Sequence, residues 1–236
     1  MPPRPAAPRA RPRADGALRV GLIDDRPLLP LAGAAWRSCR FRAGDVAQVL
    51  HAAPDGPVRV DLPDDLRQAV AKRRSEFLAG RLCAALALRA LGAPETVGRR
   101  GRAPVWPAGV RGSITHTAER AIAVASGSVL ALGLDCERLL APAMAAEIAP
   151  LVLTEAERRR RPPGWDEARF LTLAFSAKEA LYKALAESLA PDIPDFKEAA
   201  VERVEAAWLA LRFRDRATQV RYTMDAGDWI TLAAIE

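Results

Sequence analysis

Two stretches of this 236-residue chain keep helical spacing over several turns, and most other apolar residues come in short alternating runs. Residues 66–91 place Leu66, Ala69, Val70, Phe77, Leu82, Leu86, Leu88 and Leu91 on an apolar side, and Gly92 and Pro94 end the pattern. Asp64 and Asp65 supply the acidic start of that helix. Residues 166–189 read as a second long helix. Residues 141–161 read as helical too, with Thr154 as an N-cap and Pro162-Pro163-Gly164 as the stop. Residues 18–23 and 57–62 alternate weakly, as strands or loop edges. Residues 95–112 read as a Gly/Pro/Arg-rich loop, and residues 113–117 as a polar loop entering a strand. Ala121–Ala125 and Val129–Leu134, separated by Ser126-Gly127-Ser128, predict a hairpin. The runs 208–213 and 229–234 predict antiparallel strands. The fold class is therefore α+β.

Few residues are available for metal clusters or staples. Cys39, Cys83 and Cys136 form no paired spacing, which points to a reducing compartment. His51 and His116 are the only histidines, so a His-rich metal site is excluded while a carboxylate magnesium site is not. The most apolar helical stretch, 77–93, is interrupted by Arg81 and Arg89, so no membrane-spanning helix is expected. Residues 1–16 carry four arginines against one aspartate and read as a disordered basic tail. They supply half of the net charge of +6. The rest of the chain is only mildly basic and has few aromatics near its basic clusters, which argues against nucleic acid as the partner. The clusters at 72–74, 99–102 and 158–161 suit a phosphate-rich ligand or an acidic protein partner.

Three short constellations carry candidate chemistry. In Gly133-Leu-Asp135-Cys-Glu137 the two carboxylates lie two apart, so on a strand they share a face and Cys136 takes the other. Paired carboxylates repel unless a proton or cation intervenes, and an all-oxygen set suits Mg²⁺. An acidic strand end in solvent, paired to Arg138, would use the same residues. In Ser176-Ala-Lys178-Glu179-Ala-Leu-Tyr-Lys183, Glu179 and Lys183 share a helix face. Ser-x-x-Glu is also a capping box, and Glu-to-Lys at this spacing is also an ordinary surface pair. In Gly112-Ser-Ile-Thr-His116, the histidine suits either a phosphate contact or a backbone-bonded loop.

Taken in order, these motifs resemble a known family. The stretches 72–81 (Lys-Arg-Arg-Ser-Glu-Phe-Leu-Ala-Gly-Arg), 103–116, 132–137 and 175–183 (Phe-Ser-Ala-Lys-Glu-Ala-Leu-Tyr-Lys) are similar to those of 4′-phosphopantetheinyl transferases that activate non-ribosomal peptide and polyketide synthases. Within that family the likeness is to the enterobactin-synthetase-component-D-like branch. It covers roughly residues 66–190. Thr115 stands where serine is common, and Cys136 where an aliphatic residue is common.

The resemblance implies two similar α/β lobes related by a pseudo-twofold, at 17–130 and 131–236, with coenzyme A in the cleft between them. It implies Mg²⁺ held by Asp135, Glu137 and Glu179. Glu179, or a water it orients, would be the base for a carrier-protein serine, and Lys183 would stabilise the departing phosphate. Around the coenzyme's phosphates it puts Arg73, Arg81, His116 and a basic residue of 99–102, for which Arg102 is the choice and Arg100 the alternative. Thr115 would help cradle the nucleotide, and Lys178 would contact phosphate or carrier. The reaction implied moves the phosphopantetheine arm to an apo acyl or peptidyl carrier protein and releases 3′,5′-ADP. A cytoplasmic monomer is expected, without nucleic acid or membrane insertion.

Overall fold

The computed structural model describes residues 16–189 and 194–236. Apart from Gly16, the expected tail lies outside the described residues, as does 190–193 of the expected 190–198 loop. The first half contains β1 (Gly16–Leu18), β2 (Ala34–Arg40), β3 (Val46–His51), β4 (Val58–Asp61), α1 (Ala71–Ala90), β5 (Gly98–Arg100), β6 (Ala103–Val105), β7 (Arg111–His116) and β8 (Arg120–Ser126). The second contains β9 (Ala131–Arg138), α2 (Pro142–Val152), α3 (Glu155–Arg158), α4 (Glu167–Leu189), β10 (Ala199–Val204), β11 (Trp208–Phe213), β12 (Arg216–Asp225) and β13 (Asp228–Ile235).

The class is α+β, and the two halves repeat one theme unequally. In the first, α1 lies across the antiparallel sheet β2-β8-β7 and also covers β3 and β4. In the second, α4 lies across β9 and β13, the end of the antiparallel sheet β10-β11-β12-β13-β9. The sheets meet through a shared apolar layer. Trp36, Ile122 and Val124 of β2 and β8 pack against Leu132, Leu134 and Cys136 of β9 and Ile230 and Leu232 of β13. Period-2 alternation therefore turns Gly133, Asp135 and Glu137 toward α4. Cys136, a buried free thiol, points into the apolar layer, as the alternation predicts.

Several local expectations change. Asp64 and Asp65 sit in a separate 3₁₀ turn, and α1 begins only at Ala71. The turn bonds Arg67 N–Asp64 O and Ala69 N–Leu66 O close that stretch, and Val70 is extended and 67% exposed. The loop expected at 95–112 contains the β5–β6 hairpin. The segment 113–116 is not a loop but the body of β7. The hairpin expected between 121–125 and 129–134 does not form. Both hydrogen-bonding edges of β8 are taken, by β2 and β7, so the chain crosses to the other sheet and β9 pairs with β13. Residues 141–161 split into α2 and α3, and Thr154 caps α3 in a capping box with Glu157.

Helix α4 rests directly on the backbone of β9. A Cβ built on Gly133 would lie 1.8 Å from the Ala180 carbonyl oxygen and 2.5 Å from the Ala184 nitrogen. Those obstacles are backbone, so Gly133→Ala must lift the helix off the strand. We expect a loss of about 3 kcal/mol or more, read from urea unfolding. Gly80→Ala is the comparison. There the added carbon lies 2.7 Å from the Ile114 Cγ2 methyl, a side-chain obstacle on a stiff β-branched residue, so after the gain in helix propensity we expect a smaller loss of about 1–2 kcal/mol.

Candidate active site

Asp135 is 3% exposed, so its charge must be answered within the protein. Its Oδ1 accepts from Lys183 Nζ at 2.6 Å and from Thr115 Oγ1 at 3.3 Å. Its Oδ2 accepts from Ser176 Oγ at 2.8 Å. Behind Ser176, the Thr231 hydroxyl donates to the Ser176 carbonyl at 2.9 Å. Two separate segments, β7 and α4, thus converge on one carboxylate of β9. Ser176 is interior to α4 and buried, so the capping-box alternative does not apply.

Glu137 and Glu179 complete the acidic set. Burial pushes the Glu137 carboxyl up to about 7, and Asp135 and Glu179 push it the same way against the pull of Lys183. Burial also raises Glu179, with Asp135 adding to it and Lys183 opposing. The three acids therefore lie within one another's fields, and Lys183 is the cation all of them feel.

Beside this set lies a cleft of about 700 Å³. Helix α1 lines it with Arg73, Glu76 and Arg81, the β5–β6 hairpin with Arg99 and Arg102, and β7 with His116. Arg81 donates to the carbonyls of Val97 and Gly98, each at 2.9 Å, and so anchors the hairpin to α1. Burial, then Arg99 and Arg73, lower its pKa to about 10. A cleft that crowds guanidinium groups in this way has room for an anion and gains from receiving one. The His116 ring lies 3.8 Å from Glu76. Its pKa is lowered, first by burial and then by Arg73 and Lys183, with Glu76 opposing. The ammonium on Asp135 thus also reaches the histidine of the cleft.

Comparison with known proteins gives this arrangement its relatives. Residues 62–126 match the 4′-phosphopantetheinyl transferase N-terminal domain, and residues 131–233 match the 4′-phosphopantetheinyl transferase superfamily. The chain belongs to the 4′-phosphopantetheinyl transferase superfamily. Enterobactin synthase component D of Salmonella typhimurium is 39% identical over 150 residues, covering 63% of this chain and 62% of that protein. Its counterpart in Escherichia coli K12 is 42% identical over 122 residues, covering 50% and 58%. The 4′-phosphopantetheinyl transferase Svp of Streptomyces mobaraensis is 39% identical over 148 residues, covering 56% and 57%. The matches thus span about three-fifths of these relatives' length. Among solved structures, the holo-[acyl-carrier-protein] synthase of Thermotoga maritima aligns with a TM-score of 0.36 at 20% identity, over 46% of this chain and 64% of that one.

Against the site expected for a phosphopantetheinyl transferase, most residues gather and two do not. Lys183 bonds Asp135; Glu137 and Glu179 lie within electrostatic reach of that pair between β9 and α4, and Arg73, Arg81, Arg102 and His116 line the cleft. Thr115 takes the opposite face of β7 from His116. Its hydroxyl accepts from Cys136 N at 3.1 Å while donating to Asp135, so its side chain ties β7 to β9. Lys178 is 0% exposed, and its Nζ donates to Glu157 Oε1 and Val152 O, both at 2.7 Å. It therefore contacts neither phosphate nor carrier. Instead it joins α4 to α3, whose Glu157 also accepts from Val201 N.

Sequence reasoning gave no site role to Ser113, Ser176, Thr231 and Glu76, and it left Arg99 open among the basic residues of 99–102. Ser113 Oγ accepts from Leu134 N at 2.9 Å, the same bridge that Thr115 makes two residues on. Alternation along β7 could have found that pair, and the helix face shared by residues 176, 179 and 183 could have found Ser176.

Whether a divalent ion fits can be judged from the donors. The set is one buried and two half-buried carboxylates, the half-buried pair raised first by burial and then by neighbouring negative charge, which a hard cation would relieve. Among the described residues the acids are not drawn together into a ready-made metal-ligand group. The Lys183 ammonium takes the position at Asp135 instead. The chemistry of the donors, all carboxylate oxygen, suits a hard divalent cation.

The placement of Lys178 has a measurable consequence. Lys178→Met strands a buried carboxylate, and we expect it to cost about 3 kcal/mol in urea unfolding. Coenzyme A affinity of the folded fraction should not change. Retained stability with lost coenzyme affinity would return Lys178 to the cleft.

Proposed function

We propose that this protein transfers the 4′-phosphopantetheine arm of coenzyme A to a serine of an apo acyl or peptidyl carrier protein, in a Mg²⁺-dependent reaction that releases 3′,5′-ADP. The observation that carries this reading is the convergence of Asp135, Glu137, Glu179 and Lys183 beside a cleft lined by Arg73, Arg81, Arg102 and His116. The names of the relatives support siderophore or other non-ribosomal peptide synthesis as the setting, with polyketide synthesis as the neighbouring case.

The roles follow from the chemistry of each group. Arg73, Arg102 and His116 bind the coenzyme's phosphates, with guanidinium forks suited to two oxygens at once. Arg81 holds the hairpin that carries Arg99 and Arg102. A bound Mg²⁺ would supply a Lewis acid for the diphosphate oxygens. Glu179, its pKa raised by burial, takes the proton of the carrier serine directly or through water. Lys183 balances negative charge on the phosphate that leaves. The lobes divide at 130/131, so the first half reads the coenzyme and the second holds the acids. Three buried free thiols suit a reducing compartment, and we place the protein in the cytoplasm as a monomer. Among the described residues no helix is long and apolar enough to cross a membrane.

Incubation with coenzyme A, Mg²⁺ and several apo carrier proteins should add the mass of one phosphopantetheine unit to a carrier, read by intact-mass spectrometry. No gain on any carrier would refute the activity. Asp135→Asn keeps the shape of the side chain and should lower kcat about a hundredfold or more.

The pH dependence of ion binding follows from Glu137. Its carboxyl titrates at about 7 and must be ionised to hold a cation. Mn²⁺ affinity measured calorimetrically should therefore be full above that pH. Below it, affinity should fall by up to about tenfold per pH unit, with proton release on binding. Affinity that is flat between pH 8 and 5.5 would remove Glu137 from the ligand set.

A further inference from the structure

We propose that Lys183 is the resident counter-ion of Asp135, holding the carboxylate closed to a divalent ion until an anion in the cleft draws the ammonium away. This inference rests on the transferase reading and concerns how its metal site is regulated. The oxygens of Asp135 already accept from Lys183 and Thr115 at Oδ1 and from Ser176 at Oδ2. A cation can take Oδ1 only when Lys183 or Thr115 leaves it, and a cation at the remaining lone pair of Oδ2 still meets the repulsion of the ammonium on the same carboxylate.

The three partners are not equally free to go. The Thr115 hydroxyl is fixed by the Cys136 amide, and both residues sit in strands at the junction of the sheets. Ser176 is buried in the middle of α4, with Thr231 against it. Lys183 is a long chain near the C-terminal end of α4, and its side chain is 32% exposed against 4% for that of Asp135. Beyond Asp135 its ammonium has one other anchor, the Leu134 carbonyl at 3.2 Å. Of the three, Lys183 can vacate its place by side-chain rotation alone.

Where the ammonium goes is also set by the structure. Lys183 acts electrostatically on His116, which lines the arginine-rich cleft. A diphosphate seated in that cleft offers the ammonium a second anionic partner. The carboxylate is then released with its negative charge unanswered. Cation binding and coenzyme binding are thereby coupled through one side chain, and an ion alone must compete with a tethered ammonium.

The test is calorimetric titration of Mn²⁺ into the full-length protein without and with saturating coenzyme A, for the wild type, Lys183→Met and Lys183→Arg. Lys183→Met keeps the apolar stem and removes the charge, and Lys183→Arg keeps the charge. Thermal melting establishes that each variant is folded. Lys183→Met is expected to bind Mn²⁺ alone at least about tenfold more tightly than the wild type, with a smaller further gain from coenzyme A. Lys183→Arg is expected to stay near the wild type without coenzyme. Unchanged or weaker Mn²⁺ binding by folded Lys183→Met overturns the inference while leaving the transferase reading in place. A wild type that binds no Mn²⁺ even with coenzyme A overturns the reading of the site itself, and the inference with it.

Discussion

A carboxylate buried at the seam of two sheets cannot be left without partners, and at Asp135 those partners come from both halves of the chain. Thr115 belongs to β7 in the first half, and Ser176 and Lys183 belong to α4 in the second. Sliding one half against the other would break these bonds and strand a charge in a site that water does not reach. A second ionic tie works in the same sense. Arg120 of β8 pairs with Asp225, at the β12–β13 turn, at 2.6 Å. The apolar layer around Trp36 and Leu134 supplies the bulk of the contact between the halves, and the polar ties fix its register.

Positive charge in this protein does two different kinds of work, and burial separates them. Lys178 faces Glu157 and is sealed from solvent, so its charge is spent inside the fold. Arg74 likewise turns to Asp45, and Arg120 to Asp225. Arg73, Arg99 and Arg102 instead face a common space together with His116. Arg99 has Asp65 as a partner, yet its field still reaches Arg81 and helps depress it. Like charges gathered around a cleft destabilise the free protein and favour an anionic ligand by the same amount that its arrival relieves. Net charge alone carries none of this distinction, because half of it lies in residues 1–16.

What was legible in the sequence is what depends on neighbours in the chain. The alternation of β9 put Asp135 and Glu137 on one face and Cys136 on the other, and the helical spacing of α4 put Glu179 and Lys183 on a common side. The Thr154 cap was readable because its partner, Glu157, lies three residues on. What failed depends on distant partners. Lys178 looked available until α3 brought Glu157 to it across twenty-one positions of sequence. The 121–134 hairpin was a sound local pattern, but β2 and β7 compete for β8 and win both of its edges. Thr115 was assigned to the nucleotide by resemblance alone, and strand geometry sends its side chain to the face opposite that of His116.

The way β7 meets β9 explains why a site can form between sheets at all. The two strands belong to different sheets, and the Ser113 and Thr115 hydroxyls bond the amides of Leu134 and Cys136. In a continuous ladder a backbone carbonyl would fill those roles, and the side chains of both strands would serve packing alone. A hydroxyl bridge satisfies the same buried amides, and Thr115 extends the bridge to the Asp135 carboxylate. The edges stay joined while the alternate residues, His116 on one strand and Asp135 on the other, remain committed to different environments. One faces the arginine-lined cleft and the other the acidic set under α4. The arginine-lined cleft and the acid cluster are therefore adjacent because two short hydroxyls replace a strand pairing. A substitution there would disturb both at once.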